Sequence, residues 1–243
     1  MKKLYIIGLG PGAGRDLTGR AAEALDASDV IVGYTVYIDL IREQFGHKDL
    51  RSTPMRKETE RCQMALELAD TGKTVAMVCS GDPGVYGMAG LCYELSPQWP
   101  EVELEVIPGI TAACGGAAVL GAPLMHDFCL VSLSDLMTPW EKIEARLRAA
   151  AQADFVLCLY NPSSHKRRDY LQKACDILLE TKAPETPCGY VSQIGRDGET
   201  STILTLAQLR NAQVDMFTTV FVGNSQTKVI ADRLVTPRGY LQR

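Results

Sequence analysis

The sequence has few histidines, no closely spaced cysteines and no pair of either residue type at the spacing of metal ligands. It contains three histidines and eight cysteines, and the nearest cysteine pairs are thirteen positions apart, so no CxxC motif exists. Most cysteines lie in apolar stretches, where they usually pack as small buried hydrophobes and only rarely act as reactive thiols or cluster ligands. We therefore expect no metal held by the protein's own side chains.

Positive charge is not in excess, and long apolar runs are missing. The 25 Lys and Arg against 29 Asp and Glu give a formal net charge of -4, so we expect no nucleic-acid partner. The first apolar run, Leu4 to Ile7, is shorter than the core of a signal peptide. No segment approaches the roughly 20 apolar residues of a membrane span, and we expect a cytoplasmic protein with no membrane partner.

The composition is that of a folded globular protein of one or two domains. The chain has 243 residues, of which 46% are hydrophobic and 22% charged. Strand-like runs alternate with helix-like runs, which predicts two α/β domains, residues 1–122 and 123–243, divided near Gly121-Ala122-Pro123. The predicted strands are 3–9, 29–32, 74–80, 104–107, 129–133, 155–160, 188–192, 202–204 and 218–222. The predicted helices are 17–27 with Asp16 as its N-cap, 58–69, 89–95, 111–120, 140–151 and 166–180.

Glycine-rich or polar loops follow several predicted strands, at the ends where open α/β sheets bind ligands. They cover residues 8–14, 80–88 and 108–113 in the first half, and 159–164 and 189–195 in the second. Each could be only a turn or a packing segment, and Asp82 could simply cap the helix that follows it. Brought together, they would line a cleft between the domains, which is the usual place for a small-molecule site.

Two nucleotide-binding readings of the first glycine loop lack their supporting residues. Pro11 stands where a dinucleotide-binding loop turns into its helix, and the second strand ends at Gly33 rather than at an acidic residue for the ribose. No Gly-Lys-Ser/Thr follows the loop, so a phosphate loop of the Walker type is also disfavoured.

Three motifs in this order and spacing resemble the tetrapyrrole methylase superfamily, which uses S-adenosyl-L-methionine: Gly8-Leu9-Gly10-Pro11-Gly12, Ser80-Gly81-Asp82-Pro83 and Pro108-Gly109-Ile110-Thr111-Ala112. The longer stretches 33–35, 80–90, 120–129, 132–140 and 236–240 resemble its branch that methylates C-17 of a corrin precursor. The resemblance covers essentially the whole chain. It implies methylation of precorrin-3B or cobalt-factor III with ring contraction, in the corrin stage of cobalamin biosynthesis.

The resemblance also implies a homodimer of two-domain subunits, with S-adenosyl-L-methionine held in the inter-domain cleft largely by backbone groups. The residues expected to contact this cofactor are Pro11, Ser80, Gly81, Asp82, Val85, Thr111, Ala112 and Tyr160, and, where the family's loops vary in length, Gly189, Tyr190, Gly195 and Thr219. Gly10 and Gly12 are expected to contact the tetrapyrrole. The iron-sulfur segment of some long relatives is not expected here.

A tetrapyrrole substrate edged with carboxylates needs a local cluster of cations on this acidic chain. Two clusters qualify, Arg51, Arg56, Lys57 and Arg61, and Lys166, Arg167 and Arg168, although a charge run can also be a solvated face. We expect Arg56 and Lys57 to bind substrate. Asp135, His126 and Tyr160 are candidates for the proton transfer that ring contraction needs, and His126 could instead serve a structural role.

Three other functions remain open from the sequence. A methylase acting at another macrocycle carbon would share the cofactor loops. A nucleotide-dependent oxidoreductase and a non-catalytic binding module are the alternatives from other classes. Cobalt would arrive with the substrate, so its presence in the macrocycle leaves no ligand motif in the chain.

Overall fold

Two α/β units, Met1–Ala112 and Ala113–Arg243, make up the computed structural model, which describes residues 2–12, 14–164 and 167–240. The predicted α/β class is confirmed. The structure divides the chain after Ala112, the first residue of its small-residue helix, whereas the sequence places the boundary after that helix. The boundary at residue 122 stays a prediction. No helix within the described ranges is long and apolar enough to cross a membrane.

The first unit is a parallel sheet covered by helices on both faces. Its sheet order is β3-β2-β4-β1-β5, and every neighbouring pair is parallel. The elements are β1 (Lys3–Gly8), α1 (Gly19–Asp26), β2 (Val30–Tyr34), α2 (Thr35–Phe45), β3 (Asp49–Thr53), α3 (Glu58–Asp70), β4 (Thr74–Cys79), α4 (Ala89–Leu95) and β5 (Glu103–Ile107).

The central strand β1 shows why this sheet is buried on both faces. Leu4 and Ile6 pack into the core that includes Leu66 of α3, whereas Ile7 packs into the core that includes Leu25 of α1. Successive side chains of a strand point to opposite faces, so an almost continuous apolar run serves two cores. Because all five strands are parallel, their C-terminal ends lie at one edge of the sheet.

Two elements of the first unit, α2 and β3, are absent from the sequence prediction. In β3, Asp-Leu-Arg-Ser-Thr, only Thr53 is buried, because this strand lies at the edge of the sheet and lacks an apolar pattern. The predicted N-cap Asp16 is wrong: α1 starts at Gly19, and the Thr18 hydroxyl accepts the hydrogen bond from the Ala21 amide. Asp16 lies in a short 3-10 turn.

The second unit contains a mixed sheet of order β10-β9-β11-β8-β7 and a small sheet of order β12-β13-β6. Strands β7 and β8 are parallel, and β11 runs antiparallel to both of its neighbours. The elements are α5 (Ala112–Leu120), β6 (Gly121–Ala122), β7 (Phe128–Ser132), α6 (Trp140–Gln152), β8 (Val156–Tyr160), α7 (Tyr170–Leu179), β9 (Pro187–Ser192), β10 (Thr200–Thr205), α8 (Leu206–Leu209), β11 (Thr218–Val222), β12 (Lys228–Ile230) and β13 (Arg233–Val235).

The strands and helices predicted for the second half are present, with small shifts at their ends. The largest shift is at α7, which begins at Tyr170 rather than at Lys166, and Lys166 lies outside the described residues. The short elements β6, α8, β12 and β13 were not predicted. Six of the eight cysteines are buried, as their apolar surroundings suggest.

Candidate functional site

Three loops meet at the carboxyl edge of the first sheet, after the neighbouring strands β4, β1 and β5. We call this set, residues 9–12, 80–85 and 108–112, the glycine edge. The Gly10 amide donates to the Gly81 carbonyl at 3.2 Å, and the Gly81 amide donates to the Gly10 carbonyl at 2.7 Å. The Leu9 amide adds a bond to the Cys79 carbonyl at 2.8 Å. The first two loops are thus joined through their main chains.

The close approach of these loops requires glycine. Gly10 and Gly81 have φ values of +76° and +68°, which other L residues rarely adopt. A Cβ atom on Gly109 would lie 2.2 Å from the Gly81 carbonyl oxygen, and one on Gly8 would lie 2.6 Å from the same atom. Gly8 and Gly109 were not predicted as site residues, although a glycine after a buried strand is the signal that could have found them.

Asp82 fastens the third loop to the second. Its Oδ1 accepts from the Gly84 amide at 2.8 Å and its Oδ2 accepts from the Gly109 amide at 3.0 Å. The alternative that Asp82 caps the next helix is wrong, because α4 begins only at Ala89 with Met88 as its N-cap. Each carboxylate oxygen can accept a further bond, so the half-buried Asp82 retains acceptor capacity for a ligand.

The glycine edge brings together the site residues predicted for the first unit. Those on the loops are Gly10, Pro11, Gly12, Ser80, Gly81, Asp82, Val85, Thr111 and Ala112. A Cβ atom added to Gly81 would lie 3.7 Å from the Thr111 Cα, which is ordinary contact distance. The second and third loops are therefore in contact. Gly10 uses its amide and its carbonyl on Gly81, and the contacts of Gly10 and Gly12 with a tetrapyrrole stay predictions.

The site residues predicted for the second unit are spread along its mixed sheet. Tyr160 ends β8, and its hydroxyl accepts from the Ala113 amide at 2.7 Å. The Gly195 amide donates to Glu199 at 2.7 Å, just beyond the end of β9. Gly189, Tyr190 and Thr219 lie inside strands β9 and β11. A Cβ on Gly189 would lie 2.9 Å from the Leu120 side chain, so this glycine also has a packing role.

The proposed proton-transfer residues do not share one place in the second unit. His126 precedes the amino end of β7, where its Nε2 lies 3.0 Å from the Pro237 carbonyl oxygen. It lines a cavity of about 290 Å³ with Asp154 and Asn224. Tyr160 pairs with Ser132 at the opposite end of β7, and the four rises between Phe128 and Ser132 span about 13 Å.

Asp135 is a positioning residue for the loop that follows β7. Its carboxylate accepts from the Tyr170 hydroxyl at 2.6 Å and from Arg167 at 3.1 Å. The hydrogen bond from Tyr170 and then that from Arg167 lower the pKa of Asp135 below its ordinary value. An ionised carboxylate with both oxygens bonded is a poor proton donor. The Asp135 carboxylate instead holds the loop on which Leu136 and Met137 are exposed.

The predicted basic clusters are partly neutralised by neighbours. Arg51 pairs with Asp49 on the same strand, and Lys57 pairs with Glu60. Arg56 is exposed and has a left-handed φ of 67°. In the second cluster, Arg167 is engaged by Asp135 and Arg168 is exposed, whereas Lys166 lies outside the described residues.

The glycine edge predicts a sharp difference between two glycine substitutions. We expect Gly109→Ala to lower the free energy of unfolding by about 1–3 kcal/mol, because the new Cβ overlaps backbone atoms. Gly90→Ala on α4 is the matched control, since its Cβ meets nothing within 4 Å, and it should stabilise by about 0.5–1 kcal/mol. Urea unfolding measures both, and equal free energies would contradict the close packing.

The lowered pKa of Asp135 predicts a pH-dependent contribution to stability. A carboxyl whose folded pKa lies below its unfolded value of about 3.9 stabilises above that pH, and the stabilisation disappears as pH falls through the folded pKa. We expect Asp135→Asn to cost about 1–2 kcal/mol at pH 7, and less with falling pH. Urea unfolding at several pH values measures this. A difference that stays constant with pH, or an equal one for Asp197→Asn at an exposed position, would argue against the pairing.

Comparison with known proteins places the chain in a family. The sequence pattern of the tetrapyrrole (corrin/porphyrin) methylases matches residues 3–210. A probable cobalt-factor III C(17)-methyltransferase from Salmonella typhimurium is 49% identical over 238 residues, covering 98% of this chain and 99% of the relative. A precorrin-3B C(17)-methyltransferase from a Sinorhizobium species is 38% identical over 247 residues, covering 98% and 96%.

The fold agrees with this sequence similarity. The crystal structure of the methyltransferase CobJ superposes with a TM-score of 0.89 at 37% identity, covering 96% of this chain and 99% of that one. The chain therefore belongs to the tetrapyrrole (corrin/porphyrin) methylases.

Proposed function

We propose that this protein transfers a methyl group from S-adenosyl-L-methionine to C-17 of precorrin-3B or cobalt-factor III, with ring contraction, in cobalamin biosynthesis. The observation that carries the proposal is the 49% identity, over nearly the full length of both chains, to a relative named for this activity. A second relative, named for precorrin-3B, supports the same carbon with a cobalt-free substrate. The two names leave both macrocycles as substrates to test.

The glycine edge supports binding of the methyl donor. Its loops are rich in glycine, so a ligand can approach the main chain without intervening side chains, and the bonded carbonyl oxygens keep a second lone pair as acceptors. We propose that Pro11, Ser80, Gly81, Asp82, Val85, Thr111 and Ala112 contact the donor. The spare lone pairs of Asp82 suit the ammonium or the hydroxyl groups at the donor's polar end. From the second unit we propose Tyr160, Gly189, Tyr190, Gly195 and Thr219.

The mechanism requires mainly alignment. The sulfonium donor supplies an electrophilic methyl group bound to a positively charged sulfur. The protein must hold the sulfur, the methyl carbon and the substrate carbon in line, which is a task for rigidly fixed loops. The reciprocal bonds between Gly10 and Gly81, with the Asp82 bridge to Gly109, provide that rigidity.

Ring contraction also needs a proton donor or acceptor near the macrocycle. The Asp135 carboxylate already accepts hydrogen bonds from Tyr170 and Arg167. His126 lies just before the amino end of β7, where it contacts the Pro237 carbonyl. We propose Tyr160, whose hydroxyl lies at the carboxyl end of β8, as the proton-transfer residue. We also propose that the protein is a cytoplasmic homodimer.

Purified protein incubated with S-adenosyl-L-methionine and each macrocycle tests the activity. We expect one added methyl group by mass spectrometry and its assignment to C-17 by NMR. S-adenosylhomocysteine should raise the melting temperature and inhibit the reaction, whereas NADP should do neither. A methyl group at another carbon would instead show a sister methylase. Stabilisation by NADP alone would favour an oxidoreductase.

Substitution of the exposed basic loop tests substrate binding. We expect the double variant Arg56→Ala, Lys57→Ala to weaken tetrapyrrole binding by up to about fivefold. That factor corresponds to the free energy of an exposed ion pair. Most of the loss should come from Arg56, because Lys57 is already paired with Glu60. Calorimetry with S-adenosylhomocysteine should give an unchanged affinity. Arg51→Ala is the control, because Arg51 is already paired with Asp49. If the double variant lost equal affinity for the tetrapyrrole and for S-adenosylhomocysteine, the assignment would be contradicted.

A further inference from the structure

Among the residues that the structure describes in the first unit, two buried side-chain polar atoms have no hydrogen-bond partner. They are the Nε of Arg61 and the Oγ1 of Thr53, in residues that are only 4% and 6% exposed. Buried polar atoms are almost always bonded, so an unbonded pair needs an explanation. A guanidinium hydrogen without an acceptor is the more costly of the two, because the group carries a full charge.

The surroundings of Arg61 stabilise it only partly. Its Nη2 donates to the Pro54 carbonyl at 3.1 Å, and its Cζ lies 5.8 Å from the centre of the Tyr34 ring. Neither contact supplies negative charge. Among the residues that the structure describes, no carboxylate lies within ion-pairing distance of this guanidinium. The buried cation therefore lacks a counter-ion.

The position of this pair is next to the glycine edge. Thr53 ends β3 and pairs in register with Tyr34 at the end of β2. The following strand of the sheet is β4, which leads into the loop of Ser80 and Asp82. Neighbouring strands are about 4.8 Å apart, so Thr53, which lies two strands from β4, is about 10 Å from the start of that loop.

The Cys79 thiol at the end of β4 gives independent support for this proximity. Burial raises its pKa to about 12, and the charges of Arg61 and Asp82 act on it in opposite directions. The cation and the carboxylate of the glycine edge are thus both near enough to this thiol for their charges to act on it.

The loop of residues 54–57 follows Thr53 directly and is exposed. It contains Arg56, whose left-handed backbone is strained for a residue with a side chain, and Met55, which is 45% exposed. The same loop supplies the carbonyl that holds Arg61. The Nε atom is covered, so a ligand would reach it through a shift of this loop or of the half-buried Tyr34 ring.

We infer that Arg61 and Thr53 form a carboxylate-binding site that receives one acidic side arm of the macrocycle beside the methyl donor. One carboxylate can accept from the Arg61 Nε and from the Thr53 hydroxyl, which satisfies both atoms and supplies the missing charge. A bridging water would satisfy the two atoms but would leave the charge unpaired. The identity of the ligand rests on the proposed function, whereas the site for a carboxylate does not.

Two variants with one control test the site. Thr53→Val removes the hydroxyl at similar volume, and Arg61→Met removes the buried charge at similar length. Arg42→Met removes an exposed arginine that is paired with Asp39 in the same unit. We expect both site variants to weaken macrocycle binding, measured by absorbance titration, by about tenfold or more. The control should change it less than about twofold, and S-adenosylhomocysteine affinity should stay the same in all three.

A second measurement separates the site from the proposed function. Propionate, at constant ionic strength, should raise the melting temperature of the wild type and of Arg42→Met, but not that of Arg61→Met. This response is expected even if the protein methylates nothing. Equal responses of all three proteins would overturn the carboxylate site. A second outcome would overturn only the assignment to the tetrapyrrole. In it, Arg61→Met no longer responds to propionate, yet Arg61→Met and Thr53→Val both bind the macrocycle as the wild type does. The site would then be one for free carboxylates.

Discussion

The Asp82 carboxylate is the contact on which the arrangement of the glycine edge depends. One oxygen closes the turn at Gly84 and the other holds Gly109, so the loop after β4 is fixed to the loop after β5. The reciprocal bonds between Gly10 and Gly81 fix the same loop to the one after β1. Three separate chain segments therefore present their main chains as one rigid surface.

Charge is placed locally rather than across the whole molecule. The net charge of -4 gives no long-range attraction for a polyanion. Several cations that the sequence groups together prove to be paired with acids, such as Arg51 with Asp49 and Arg167 with Asp135. Arg61 is different, because it is buried, no acid pairs with it in the described part of the chain, and its charge acts on Cys79 at the end of β4. This is the proposed place for one carboxylate of the ligand.

The sequence predicts the parts of this arrangement that are local. A buried apolar run followed by glycine identifies β1, and the loops at Gly10, Gly81 and Thr111 follow from the same pattern. The edge strand β3 and the helix α2 were not predicted, because β3 has only one buried residue and no apolar alternation. The orphaned pair of Arg61 and Thr53 depends on packing between separate elements. The pairing of Asp135 with Tyr170 joins residues 35 positions apart, and no spacing rule reveals it.

Hydrogen exchange with and without S-adenosylhomocysteine tests whether backbone atoms of the glycine edge hold the donor. We expect slower amide exchange in peptides that cover residues 9–12, 80–85 and 108–112 when the compound is bound. Binding that leaves these segments unchanged and protects instead the region of His126 and Asn224 would contradict it.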